Sequence, residues 1–191
     1  MRGTSQQTFE QFAKVGEAGV TIMVQDAPLS GVDLPVPLLI KMAKEIETVK
    51  CFKIECAQAA SKLRKLVVEG GDAIEGPFDG EEGITLFADL EAGATGNMSS
   101  AMIPDLIKPV VLDYLAGEFD KSEDKYNNIL PLINYENRQC GFRATKVIMK
   151  EGGVINSDFC RHPIPPLEEQ TKAGLIKLVK KYDPIALSWG K

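Results

Sequence analysis

Histidine is almost absent from this sequence: His162 is the single one in 191 residues. The four cysteines, Cys51, Cys56, Cys140 and Cys160, form no Cys-x-x-Cys pair. A structural zinc site needs Cys and His clustered at short spacings, so Cys160-x-His162 falls short and no metal is expected. Neither a disulfide-style spacing nor a signal peptide is present, which points to reduced thiols in a cytoplasmic protein. No apolar run approaches the roughly 20 residues a membrane helix needs. Positive charge is in deficit too, with 22 Lys and Arg against 27 Asp and Glu and a net charge of -5. That argues against nucleic acid and anionic membranes as partners, since both require a basic footprint.

What is there is ordinary for a globular chain: 44% hydrophobic and 26% charged residues, enough for one well-cored domain. Short β-rich runs fall at about 20–25 (VTIMVQ), 49–55 (VKCFKIE), 73–78 (AIEGPF) and 94–99 (ATGNMS). An opening helix at about 5–16 has Thr4 or Ser5 as its cap and Phe9, Phe12 and Ala13 on one face. Between the strands lie amphipathic stretches at about 36–47, 58–69 and 81–91. The first has Pro35 at its start, the second ends at Gly70-Gly71, and the third carries Ile84, Phe87 and Ala88. Strand and helix alternating at this spacing predict an α/β fold with a parallel sheet and right-handed crossovers. After about residue 101 the strands stop, and helical patterns run at about 104–116, 122–138, 141–151 and 167–181. Four strands cannot close an eight-stranded barrel. An open sheet, a half barrel that dimerises and part of a longer barrel all remain open.

Residues 49–56, VKCFKIEC, place a lysine inside a strand. Alternation puts Phe52 and Ile54 on one face, Lys53 and Glu55 on the other. If the apolar pair packs under helices, the charged pair points the other way, near the C-terminal strand end where α/β barrels carry their chemistry. An enclosed lysine amine can attack a ketone to form a Schiff base, and a carboxylate two residues on can move protons. The plain alternative is a strand-end lysine that snorkels and pairs with Glu55.

Longer motifs add to this. IMVQDAPLSGVDL (22–34), FKIE (52–55), GGDAIEGPFDGEE (70–82), AGATGNM (92–98), PLINYENRQ and MKEGGVI…RHPIP together resemble the dihydrodipicolinate synthase / N-acetylneuraminate lyase superfamily. Within it they are most similar to dehydratases of 2-keto-3-deoxy sugar acids such as L-2-keto-3-deoxyarabonate. The resemblance runs over about residues 5–189. It implies the C-terminal half of a (β/α)8 barrel, strands five to eight in residues 1–101. The last barrel helix and a C-terminal helical extension follow in 102–191. It also implies a lyase of carbohydrate metabolism, of L-arabinose breakdown in particular, that needs no cofactor and acts on a small 2-keto-3-deoxy sugar acid as a homo-oligomer, a tetramer by analogy. A pyruvate-releasing aldolase, a dihydrodipicolinate synthase-like enzyme and an inactive half barrel acting only in an assembly are the alternatives.

Carried over residue by residue, Lys53 matches the Schiff-base lysine. Gln25, a candidate substrate-binding residue, stands where aldolases of the superfamily have a proton-relaying tyrosine, a departure that suits a dehydratase and leaves Glu55 as the proton carrier. Asp79-Gly80-Glu81-Glu82 falls at the turn whose Gly80 and Glu81 would contact substrate hydroxyls, and Met98 and Ser99 match the end of the eighth strand. Plain structural roles stand beside these. Gln25 can satisfy backbone groups, Glu81 and Glu82 can be first-turn acids of a helix, and Ser100 can be an N-cap. Tyr135, Asn137 and Arg138 can be packing residues, His162 a loop residue and the cysteines small hydrophobes. The motif that holds the substrate carboxylate in this superfamily is expected before residue 1.

Overall fold

The computed structural model describes residues 3–27, 31 and 33–191, so Pro28, Leu29, Ser30 and Val32 of the first motif lie outside the described residues. The chain divides into two compact units, residues 1–81 with 85–98 and residues 82–84 with 99–191.

The first unit is α/β. In order it contains α1 (Ser5–Gly16), β1 (Ile22–Asp26), α2 (Val36–Glu45), β2 (Val49–Ile54), α3 (Ala59–Gly70), β3 (Pro77–Asp79), α4 (Leu86–Glu91) and β4 (Gly96–Asn97). The strands form one sheet in the order β1-β2-β3-β4, every neighbouring pair parallel. This is the parallel arrangement that the alternation predicts. Thr4 is the α1 cap. Its hydroxyl accepts from Gln7 N–H at 3.2 Å while the Gln7 side chain accepts from Thr4 N–H at 2.9 Å, a reciprocal capping box.

One face of the sheet is sealed by helices. Val24, Phe52 and Ile54 from the strands, Leu39 and Met42 from α2, and Leu63 and Leu66 from α3 are all fully inaccessible to solvent. Each such side chain contributes about 1.5–3 kcal/mol by leaving water.

Two elements differ from their sequence expectation. The strand expected at 73–78 is confined to Pro77–Asp79, after a 3-10 turn at Gly71–Ala73, although Glu75 N–H still donates to Lys50 O at 3.0 Å. The helix expected from residue 81 begins at Leu86. Glu81 and Glu82 sit in a short turn at φ 49° and 56°, a left-handed backbone that no α-helix accommodates. They are therefore not first-turn acids of α4. That helix buries Leu86, Asp89 and Leu90 rather than the expected Ile84, Phe87 and Ala88 face.

The second unit is helical: α5 (Pro104–Leu115), α6 (Phe119–Tyr135), α7 (Arg143–Glu151) and α8 (Glu169–Val179). A single π-helical turn, Glu136–Cys140, follows α6 directly. Tyr135 packs as a structural residue, its hydroxyl donating to Thr171 O on α8 at 3.2 Å. Ser100 caps a turn rather than α5, accepting from Met102 N–H at 3.1 Å. Among the described residues, no helix is long and apolar enough to cross a membrane.

Candidate active site

The register decides which side chains meet. Gln25 on β1 lies opposite Lys53 on β2, and Lys53 opposite Phe78 on β3. One residue further along, Asp26, Ile54, Asp79 and Asn97 form the next row across all four strands. Successive residues alternate faces, so the two rows look in opposite directions. Ile54, Asp26 and Asp79 are buried on the helix-covered side, and Gln25 and Lys53 occupy the other.

On that open side the sequence-predicted residues Lys53, Glu55 and Gln25 come together. Lys53 Nζ lies 3.0 Å from Glu55 Oε2, with side-chain exposures of 18% and 16%. Gln25 Nε2 donates to the same Oε2 at 2.6 Å. The Glu55 backbone is fixed from β1, its N–H donating to Asp26 O at 2.9 Å. One carboxylate thus receives both a cation and an amide, and its position next to the amine suits it to accept a proton from it.

Gly80, the residue that follows β3, closes this group. A Cβ built there would stand 2.8 Å from Glu55 Cβ and 3.0 Å from Lys53 Cε. Only a glycine lets the chain pass so close. Gly80→Ala is accordingly expected to push the Lys53–Glu55 pair apart. Imine formation at Lys53, read by borohydride trapping with pyruvate, should slow by about tenfold or more, and because the clash falls on the Glu55 Cβ the melting temperature should drop by a few degrees as well.

The other sequence-predicted positions are distributed differently. Glu81 follows Gly80 in the left-handed turn. Met98 continues β4, its N–H donating to Asp79 O at 2.9 Å, with a side chain 41% exposed. Ser99 belongs to the second unit and is half-buried.

Four acidic groups outside the predicted set, Asp26, Asp79, Asp89 and Glu136, are conspicuous by their burial. Asp26, fully buried, ion-pairs with Lys62 Nζ at 2.5 Å and accepts from Leu34 N–H at 3.0 Å. Burial opposes the Lys62 charge, but hydrogen bonds to Asp26 and Asp33 outweigh it and hold the ammonium above its ordinary value. A cleft of about 420 Å³ beside this pair, lined by Asp33, Cys56, Gln58, Ser61, Lys62 and Lys65 among others, includes neither Lys53 nor Glu55. Asp79, also fully buried, is pushed up to about 10, by burial first and then by the hydrogen bond and charge of Asp89. In the second unit, burial pushes Glu136 on the π-helical turn up to about 7. A hydrogen bond to Ser100 opposes that rise, the Glu82 charge adds to it, and Thr145 opposes it. Next to it Asn137 Nδ2 donates to Glu82 Oε2 at 3.2 Å, and the Tyr126 hydroxyl donates to Ile84 O at 2.7 Å. The 82–84 segment is thereby fastened to α6 and the turn that follows it.

The sequence signal for Asp79 is its place in the PFDGEE motif. Asp89 gives one too, as an acid flanked by Leu86 and Leu90 on a helix. No group of three or more potential metal ligands occurs among the described residues.

A family profile described as the dihydrodipicolinate synthetase family matches residues 2–182. The chain is 52% identical over 184 residues to L-2-keto-3-deoxyarabonate dehydratase of Azospirillum brasilense, covering 96% of this chain and 60% of that protein. It is 24% identical over 189 residues to 4-hydroxy-tetrahydrodipicolinate synthase of Helicobacter pylori (strain P12), covering 97% and 62%. Among solved structures, dihydrodipicolinate synthase from Aquifex aeolicus superposes with a TM-score of 0.86 at 20% identity, over 95% of this chain and 62% of that one. The chain thus spans about 60% of the length of the curated relatives it matches.

Proposed function

Since the chain belongs to the dihydrodipicolinate synthetase family, we propose that it carries the Schiff-base half of a 2-keto-3-deoxy sugar-acid dehydratase. The substrate we assign is L-2-keto-3-deoxyarabonate, the compound in the name of the Azospirillum brasilense relative. The observation that carries this reading is the contact of Lys53 Nζ with Glu55 Oε2 at 3.0 Å, in a sheet end walled by Gly80.

In the proposed reaction the Lys53 amine, its proton passed to Glu55, adds to the C2 ketone. Glu55 returns that proton to the carbinolamine hydroxyl, which leaves as water to give an iminium and restores the carboxylate. Glu55 then removes a C3 proton. The electron pair flows into the iminium as an enamine, which returns it to expel the C4 hydroxyl as water. Tautomerisation moves the new double bond to C4–C5, where the enol becomes an aldehyde, and hydrolysis frees Lys53 and 2,5-dioxopentanoate. Gln25 holds Glu55 through the 2.6 Å hydrogen bond. It has no phenol to take the C4 hydroxyl proton as an aldehyde departs, which favours loss of water over carbon–carbon cleavage. Gly80 and Glu81 are assigned to the substrate's hydroxyls, and Gln25, Met98 and Ser99 to the substrate-binding lining.

The four strands are, on this reading, the fifth to eighth of a (β/α)8 barrel in residues 1–101, with residues 102–191 supplying its last helix and a helical extension. The enzyme is placed in the cytoplasm as a homo-oligomer. Incubation with L-2-keto-3-deoxyarabonate is expected to yield 2,5-dioxopentanoate, measured by its reaction with an aldehyde dehydrogenase and NADP. Release of pyruvate, scored with lactate dehydrogenase, would instead mean aldol cleavage and overturn the dehydratase reading.

A further inference from the structure

On the helix-covered side of the sheet, behind the row that bears Lys53, two carboxyl groups meet. Asp79 at the end of β3 and Asp89 on α4 are both fully buried. Each has one oxygen supplied with a donor: Asn97 Nδ2 donates to Asp79 Oδ2, and the Thr85 hydroxyl donates to Asp89 Oδ2 at 2.9 Å. The remaining oxygens, Oδ1 of both residues, are buried with no donor. Yet the two side chains are within hydrogen-bonding reach of each other. Two carboxylates in such contact repel, whereas a carboxyl and a carboxylate hold one hydrogen between them. A single shared proton satisfies both orphan oxygens.

The pair sits at a mechanically meaningful place. Asp79 is the last residue before the 80–85 loop, and Asp89 grips the loop's far end twice, through the Thr85 hydroxyl and by donating its own N–H to Thr85 O at 3.1 Å. Glu81, Glu82 and Gly83 in this loop all have positive φ. Two successive non-glycine residues keep that backbone only when the loop is fixed from outside. The loop begins with Gly80, which lies against Lys53 and Glu55.

We propose that Asp79 and Asp89 share one proton between their Oδ1 atoms, and that this bond fastens the 80–85 loop, making Asp79 a positioning residue for Gly80 and thereby for the Lys53–Glu55 pair. Its catalytic consequence rests on the reading of Lys53 as the reacting amine; the pair itself does not. The charged groups that act on Asp79 are Asp89 of α4, which favours the protonated form, and Lys53 of β2, which weakly opposes it. The facing group from β4 is the neutral Asn97 amide.

The sign of the pH dependence follows. An acid raised in the folded state keeps a proton that the unfolded chain has already released above its ordinary value near 3.8. Stability contributed by this group therefore falls as pH rises, by up to tenfold in the unfolding constant per pH unit for one proton, until the folded state also ionises. Asp79→Asn supplies a permanent hydrogen to Asp89 and still accepts from Asn97, so it should remove that slope. Asp79→Ala supplies none and should loosen the loop.

The test compares wild type, Asp79→Asn and Asp79→Ala. Denaturant unfolding between pH 6 and 9 should be steeper in pH for wild type than for Asp79→Asn; equal slopes overturn the shared proton. Labelling of Lys53 by an amine-reactive reagent at pH 7.5 is scored against the exposed Lys177 by peptide mapping. It should match wild type in Asp79→Asn and rise several-fold in Asp79→Ala; no rise overturns the positioning role. Should Asp79→Ala not fold, Thr85→Val, which frees the loop's far end from the Asp89 carboxylate, carries the labelling test with the same expected rise. Pyruvate trapping on the same samples tests the catalytic reading separately. Absence of a wild-type adduct would defeat the Schiff base while the slope and labelling results stand on their own.

Discussion

Lys53→Ala is expected to eliminate covalent capture of 2-keto acids and to reduce turnover on the order of 10^4-fold or more, the scale on which removal of a covalent nucleophile acts. Borohydride treatment in the presence of pyruvate should add one reduced adduct to the wild-type chain, located on Lys53 by peptide mapping, and none to the variant. Lys53→Arg should fail equally, although it keeps the cation beside Glu55, because a guanidinium does not deprotonate to attack a ketone. Stability is a separate matter. Without Lys53, Glu55 still accepts from Gln25 Nε2 at 2.6 Å and retains 16% side-chain exposure. Its charge is therefore not stranded in the interior, and a partly exposed ion pair of this kind is worth about 1 kcal/mol or less. Near-wild-type melting with complete loss of the adduct is the pattern that marks a working amine. An adduct persisting on another lysine in Lys53→Ala would transfer the role elsewhere.

The alternation in VKCFKIEC carries most of this. Phe52 and Ile54 are fully buried against the helices, and Lys53 and Glu55 meet on the opposite side. That much is legible because a strand offers each residue only two directions and apolar side chains select one. The Thr4 cap and the parallel order were readable for similar reasons, since both follow from local chemistry and spacing. The 81–85 turn was not. Glu81 and Glu82 are ordinary helix formers, yet both have left-handed backbone, and the 82–84 segment is held by hydrogen bonds from Tyr126 and Asn137, residues distant in sequence. The meeting of Asp79 with Asp89 was hidden for the same reason. Each acid carries a local signal of its own, but nothing in the sequence pairs them, and only the sheet register and the α4 face bring the two into one buried place. Glu136 lies on a π-helical turn within what reads as one continuous helix from 122 to 138, a distortion that periodicity at 3.6 residues does not reveal.

Glu55→Gln should separate two steps that Lys53→Ala cannot. The amide is nearly isosteric and keeps a hydrogen-bonding oxygen toward Lys53 and Gln25, so the lysine stays in place. What is lost is the ability to take up a proton. Trapping with pyruvate should therefore persist in Glu55→Gln, slowed only as far as the amine now relies on water for its own deprotonation. Removal of the C3 proton should fall by about 10^2–10^4-fold, the range typical of general-base catalysis. The exchange of the pyruvate methyl protons with deuterium oxide, followed by proton NMR, reads this step directly and does not depend on the later expulsion of water. Wild type should wash the methyl signal out and Glu55→Gln should leave it. If exchange in Glu55→Gln matches wild type while dehydration is lost, the base lies elsewhere, and Glu55 is left with the later departure of the C4 hydroxyl. If both persist, Glu55 serves only as the counter-ion of Lys53, and the 3.0 Å contact is then a plain strand-end ion pair.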